Sequence, residues 1–132
     1  MVDAYYQSIA PDYVRHRRVH PEVLRRLVSI GGLSPASSVL DVGCGTGNYL
    51  LALSENVGCD CWGIDPSEAM LAEAQSQLTQ AHLFYVSAER MKLPTDQFDL
   101  YLQWTSCSTL AAVAKSFASV CEFYERVEVS VW

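Results

Sequence analysis

The sequence predicts an α/β fold built on a parallel sheet, and three observations carry that prediction. Short apolar runs recur as "SVLDV" (Ser38 to Val42), "CWGID" (Cys61 to Asp65) and "HLFYV" (His82 to Val86). Segments of helical periodicity separate them, which is the βαβ rhythm of right-handed crossovers. The first run opens into "GCGTG", with Gly43, Gly45 and Gly47 at alternate positions, before apolar helix-forming residues resume.

Each element follows from its residues. His20-Pro21 precedes "EVLRRLVSI", where proline suits the first helical position and Val23, Leu24, Leu27, Val28 and Ile30 approximate one apolar face. Gly31-Gly32 ends that helix. "SVLDV" is a short apolar strand of the buried parallel kind. "NYLLALSEN" returns to a helix, and "CWGID" gives the second strand. Pro66 and Ser67 open a further helix, with Met70, Leu71, Ala74 and Leu78 on one side. "HLFYV" and "QFDLYL" supply strands three and four.

The chain has 132 residues, enough for one modest core, with 50% hydrophobic and 18% charged residues, a globular balance. Its net charge of −6 disfavours general nucleic-acid binding, because an acidic chain gains nothing from counterion release. The basic stretch Arg15 to Arg26 reads as the solvated face of a surface helix. No apolar segment suits a signal peptide or a membrane span. Five cysteines, an odd number, argue against a disulfide framework, and with the missing leader they point to the cytoplasm. Cys59 and Cys61 form a C-D-C pair, but structural zinc sites need a second such pair. They read as reduced thiols at the start of a strand, and no metal site is expected.

Strand, glycine loop and helix together locate a ligand at the carboxyl ends of parallel strands. Glycine lets another molecule approach the backbone, and the following helix presents free N–H groups with partial positive charge. A dinucleotide fingerprint, G-x-G-x-x-G, fails in both registers, since Asn48 or Leu50 occupies the last glycine's position. Asp65 ends the second strand about 20 residues beyond the glycines, where a carboxylate can accept both ribose hydroxyls. Two such charge-assisted bonds are worth about 1.5–3 kcal/mol each, and a 2′-phosphate would be repelled. The alternative role for Asp65-Pro66-Ser67 is a helix cap with a turn.

"VLDVGCGTG" followed by "GIDPSEAML" resembles the first two motifs of class I S-adenosylmethionine-dependent methyltransferases, particularly the methyltransferase type 11 group. The likeness continues through "SAERMKLPTDQFDL" and backward through "YYQSIAPDYVRHR". It implies a Rossmann-like sheet with helices on both faces, and S-adenosylmethionine as cofactor. By resemblance, Asp41 and the loop of Gly43, Gly45 and Gly47 hold the methionine end. Asp65, followed by Pro66, holds the ribose, while Ser87, Ala88 and Glu89 lie by the adenine and Tyr13 falls where the family has an aromatic. Many members carry Asp where this chain has Ser87, so that contact is weaker or made by backbone. A sulfonium methyl needs chiefly an aligned nucleophile and exclusion of water, so no catalytic acid or base is assigned. A small-molecule acceptor is expected. The alternative is a non-catalytic nucleoside-binding or interaction module.

The resemblance stops near Leu100, dividing a cofactor-binding half (1–100) from a divergent tail (101–132). No glycine follows Gly63 and no proline follows Pro94. Leu110, Val113, Ala114, Phe117, Val120, Cys121 and Tyr124 recur at helical spacing, and Val127, Val129 and Val131 alternate like a strand. At face value this adds a helix and an edge strand to a sheet otherwise incomplete after its fourth strand. Read in a shifted frame, the codons of "CEFYERVEV" permit "RVLR" followed by glycines, the family's helix end and turn. One base lost near Leu100 is therefore expected, with an exposed sheet edge and poor solubility as the consequence.

Overall fold

A computed structural model describes residues 19–87, 90, 97–106, 109–115 and 124–130. Among them are three helices, α1 (Pro21–Gly31), α2 (Asn48–Asn56) and α3 (Glu68–Gln77). Six strands form one sheet: β1 (Ser38–Val42), β2 (Asp60–Asp65), β3 (His82–Tyr85), β4 (Leu100–Ser106), β5 (Thr109–Lys115) and β6 (Tyr124–Ser130). The spatial order is β3-β2-β1-β4-β5-β6. β1 through β4 run parallel, as expected, with Val39 opposite both Cys61 and Leu100.

Local sequence explains the boundaries. Pro21 sits at the first turn of α1, and Gly32 takes the left-handed conformation just past its end, its N–H bonding back to Ser29 O at 3.2 Å. Ser67 caps α3 by accepting the Met70 N–H on its hydroxyl. Asp99 fixes the start of β4 against β1. Its carboxylate accepts the Ser38 N–H at 2.9 Å, and its own N–H reaches Ser38 O at 2.8 Å.

The strand alternation sorts side chains into two cores. On one face Val39, Cys61, Leu100 and Leu102 meet Val23 and Leu27 of α1, Leu50 and Leu53 of α2, and Leu71 and Ala74 of α3. All four residues expected on the buried side of α3 (Met70, Leu71, Ala74 and Leu78) are buried. Arg25 and Arg26, at the end of the basic stretch, are exposed on α1, and Arg25 pairs with Glu22. On the other face Leu40, Val42, Ile64 and Phe98 form a second cluster, to which no described helix contributes. Trp62 organises that side, stacking on His82 at 4.1 Å and meeting Phe98 edge-on at 5.7 Å.

The tail differs from the expectation. Residues Thr109–Lys115, read as the first part of a helix, form β5, antiparallel to β4, while 116–123 lie outside the described residues. β6 pairs antiparallel with β5 and contains Val127 and Val129 of the expected strand, while Val131 lies outside the described residues. The reason lies in backbone hydrogen bonding. A helix at 109–115 would leave β4 with a row of unpaired N–H and C=O groups, whereas a strand satisfies them. The parallel part ends at the fourth strand, but β4 is not an edge.

Phe98 is only 2% exposed and wedged against Trp62 and Tyr101. Phe98→Ala should therefore destabilise the domain by about 3–5 kcal/mol in urea unfolding. A loss below about 1 kcal/mol would mean that the second cluster is not a packed core.

Candidate functional site

The glycine loop leaves β1 at Val42 and crosses the carboxyl end of β2. Both the Gly43 and Cys44 N–H groups donate to Ile64 O, at 2.8 and 3.0 Å. Gly43, Gly45 and Gly47 have φ of 77°, 57° and 78°, the left-handed region that favours glycine. Their surroundings separate their roles. A Cβ on Gly43 would meet no heavy atom of the described residues within 4 Å, so among them that part of the loop is open. A Cβ on Gly47 would come within 2.6 Å of Leu78 Cδ1 and 3.4 Å of Ala74 Cβ. Gly47 therefore packs closely against Leu78 and α3 as well as taking a left-handed conformation.

Asp65 ties this loop to the next element. One carboxylate oxygen accepts the Gly45 N–H at 2.9 Å and the other accepts the Ser67 N–H at 2.8 Å. The bond to Ser67 is the turn that the alternative reading of Asp65-Pro66-Ser67 expects. Asp65 is 8% exposed and Asp41, at the same edge, 1%. Burial together with these two carboxylates pushes the Cys44 thiol far above its ordinary range, so Cys44 is a packing residue and not a nucleophile.

The predicted residues converge in part. Asp41, Gly43, Gly45, Gly47, Asp65 and the exposed Pro66 gather at the carboxyl ends of β1 and β2. Ser87 follows β3 on the same edge, two positions beyond Tyr85, which pairs with Asp65. Tyr13, Ala88 and Glu89 lie outside the described residues. Sequence reasoning missed Thr46. Its side chain is 1% exposed, and its hydroxyl has no hydrogen-bond partner among the described residues. A threonine between two left-handed glycines was the only sign of it in the sequence. Also unforeseen was Tyr49, buried at the start of α2, whose hydroxyl accepts the His20 N–H at 3.1 Å and holds the start of α1.

Among the described residues no cluster of three or more metal-ligating side chains occurs, and no helix is long and apolar enough to cross a membrane. The edge instead offers backbone amides, left-handed glycines and buried carboxylates, means suited to binding and orienting a polar ligand.

The chain is similar to known proteins in sequence and in fold. A malonyl-(acyl-carrier protein) O-methyltransferase of Enterobacter lignolyticus is 32% identical over 114 residues, covering 83% of this chain and 44% of that protein. A dTDP-3-amino-3,4,6-trideoxy-alpha-D-glucopyranose N,N-dimethyltransferase of Streptomyces venezuelae is 32% identical over 126 residues, covering 96% of this chain and 51% of that one. The chain thus spans about half the length of these relatives or less. In fold it is similar to a SAM-dependent methyltransferase from Thiobacillus denitrificans, solved with S-adenosyl-L-homocysteine. The TM-score is 0.59 at 22% identity, over 71% of this chain and 41% of that one. The family pattern described as "Methyltransferase domain" matches residues 39–124, from β1 past Leu100 into β6, and the chain belongs to that family.

Proposed function

We propose that this chain binds S-adenosylmethionine at the carboxyl edge of β1 to β3 and, in the cytoplasm, serves methyl transfer to a small-molecule acceptor. The observation that carries this reading is the pairing of an open glycine loop with a buried acid. No described atom lies within 4 Å of a Cβ placed on Gly43, while the buried Asp65 carboxylate holds the Gly45 N–H beside it. The Thr46 hydroxyl, buried without a partner among the described residues, adds an unfilled polar group in the same loop. Asp41 and the loop would hold the methionine end, and Asp65 with Pro66 the ribose. Ser87, Ala88 and Glu89 would lie by the adenine, and Tyr13 would add an aromatic face.

When bound, the cofactor supplies an activated methyl group on a sulfonium. The chain's own contribution is to bind, orient and keep water out. Buried carboxylates at the edge favour a cationic ligand, and the amino end of α2 presents partial positive charge to its carboxylate. The relatives are named for a malonyl-(acyl-carrier protein) and a dTDP-amino sugar, which supports a small acceptor group without identifying it.

Calorimetry tests the reading directly. S-adenosylmethionine should bind and NAD should not, and tighter binding of NAD would replace the proposal with a dinucleotide site. If the cofactor binds but no S-adenosylhomocysteine forms with extracts of small acceptors, the chain is a nucleoside-binding module. Sequencing the gene across the codons from Thr95 to Trp132 tests the proposed out-of-frame tail. An additional base there would support it, and the same reading would remove it.

Two substitutions separate ligand contacts from packing. Asp65→Ala should cost about 2–4 kcal/mol of cofactor affinity, plus about 1–3 kcal/mol of stability, because two buried N–H groups lose their acceptor. Unchanged affinity in a folded variant would take Asp65 out of the site. Gly43→Ala should lower affinity with only the left-handed backbone penalty, about 1–2 kcal/mol, in thermal unfolding. Gly47→Ala should add a clash with Leu78 to that penalty and destabilise more. Equal stability losses in the two variants would contradict the division of roles between these glycines.

A further inference from the structure

The sheet ends on one side at β3, which pairs only with β2 among the described residues. Its outward N–H and C=O groups therefore have no neighbouring strand there. The large apolar side chains exposed among the described residues are Phe84, at 47%, and Tyr85, at 61%, and both belong to this strand. Edge strands are ordinarily guarded by charged side chains or proline, and "HLFY" has no lysine, arginine, acid or proline. Its histidine faces back into the sheet, with His82 Nε2 3.2 Å from a carboxylate oxygen of Asp60 on β2.

We propose that β3 pairs antiparallel with β3 of a second copy of this chain, joining two sheets edge to edge about a twofold axis. The pleat restricts the register. Residues directly opposite one another in an antiparallel pair point to the same face, and successive residues alternate faces. An axis normal to the joined sheet must therefore fall on a residue, not between two. His82 and Phe84 share the face of Trp62, which stacks on them at 4.1 and 5.8 Å. Leu83 packs on the opposite side, against the core beneath the helices, and Tyr85 follows it by alternation. An axis through Phe84 sets this ring opposite its own copy and carries the aromatic stack from one Trp62 to the other. On the opposite face the same register sets Leu83 against Tyr85, apolar against apolar.

Self-complementarity selects the second copy as occupant, since it brings the same uncharged strand in the order this register needs. Charge agrees, because a chain of net charge −6 repels its copy over most of its surface but carries no acid on β3. The area sets the strength. The exposed parts of Phe84 and Tyr85 amount to roughly 400 Å² over two copies, to which the paired backbones add. This is below the span of about 1,200–2,000 Å² of a stable interface, so the dimer belongs to the weak, concentration-dependent class. The glycine loop follows β1, two strands away from β3, and stays clear of the contact.

Sedimentation equilibrium on the unmodified chain, with no cofactor added, should show a monomer–dimer equilibrium that shifts with concentration. Phe84→Lys sets two like charges opposite each other on the axis and should weaken the dimer at least tenfold, with the circular dichroism unchanged. Air oxidation reads the register, because directly opposed Cα atoms stand about 4.5–5.5 Å apart, within reach of a disulfide. Phe84→Cys should therefore cross-link position 84 of one copy to position 84 of the other, as read by peptide mapping. Tyr85→Cys, set opposite Leu83, should not cross-link to itself. A monomer at every concentration would overturn the proposal. So would a dimer that a folded Phe84→Lys variant keeps at full strength, or equal cross-linking at positions 84 and 85. If Phe84→Lys unfolds the chain, the two cysteine variants decide alone.

Discussion

One carboxylate holds the functional edge in shape. Asp65 receives the Gly45 N–H on one oxygen and the Ser67 N–H on the other, so a single side chain spans the glycine loop and the start of α3. In a buried position these charge-assisted bonds are strong, and losing the acceptor would leave two amides unsatisfied. The loop cannot shift without pulling on the α3 cap, and the cap cannot fray without releasing the loop. This coupling keeps the open part of the loop at Gly43 in a defined relation to the acid beside Gly45. A flexible glycine-rich segment thereby becomes a preorganised one, which lowers the ordering cost of binding.

The direction of the parallel units gives the sheet two electrostatically distinct edges. α2 and α3 run against β1 and β2, so their amino ends stand beside the glycine loop and their carboxyl ends beside Cys59 and Cys61. Each helix offers partial positive charge at one edge and partial negative charge at the other. The buried acids Asp41 and Asp65 offset the positive edge, leaving it suited to a ligand that carries both an anionic and a cationic group. At the amino edge Asp60 is paired with His82 at 3.2 Å. Opposite electrostatic characters of the helix ends therefore follow from one topological fact.

Much of this was legible in the sequence because backbone requirements leave strong marks on composition. β1 and α2 have the bounds read from "SVLDV" and "NYLLALSEN", and α3 buries the four residues its periodicity named. The glycine loop and Asp65 were likewise legible, since positive φ and a strand-end acid have few alternatives. What escaped was what depends on neighbours distant in sequence. Gly47 and Gly43 look alike in a string, and only Leu78 against one and no described atom against the other distinguish them. The hydrogen bonds of Asp65 were invisible because its partners are main-chain N–H groups, which every residue but proline possesses.

The tail shows how pairing can override periodicity. "TLAAVAK" is compatible with a helix by spacing and rich in alanine, a good helix former. Yet β4 lies beside β1 with its far side unpaired until another strand arrives, and an antiparallel neighbour can follow after a very short connection. Satisfying that row of amides and carbonyls outweighs the few tenths of a kcal/mol per residue that separate helix propensities. β6 then does the same for β5, moving the open edge outward by two strands. The tail thus resolves the exposed edge that a sheet of four parallel strands would have left.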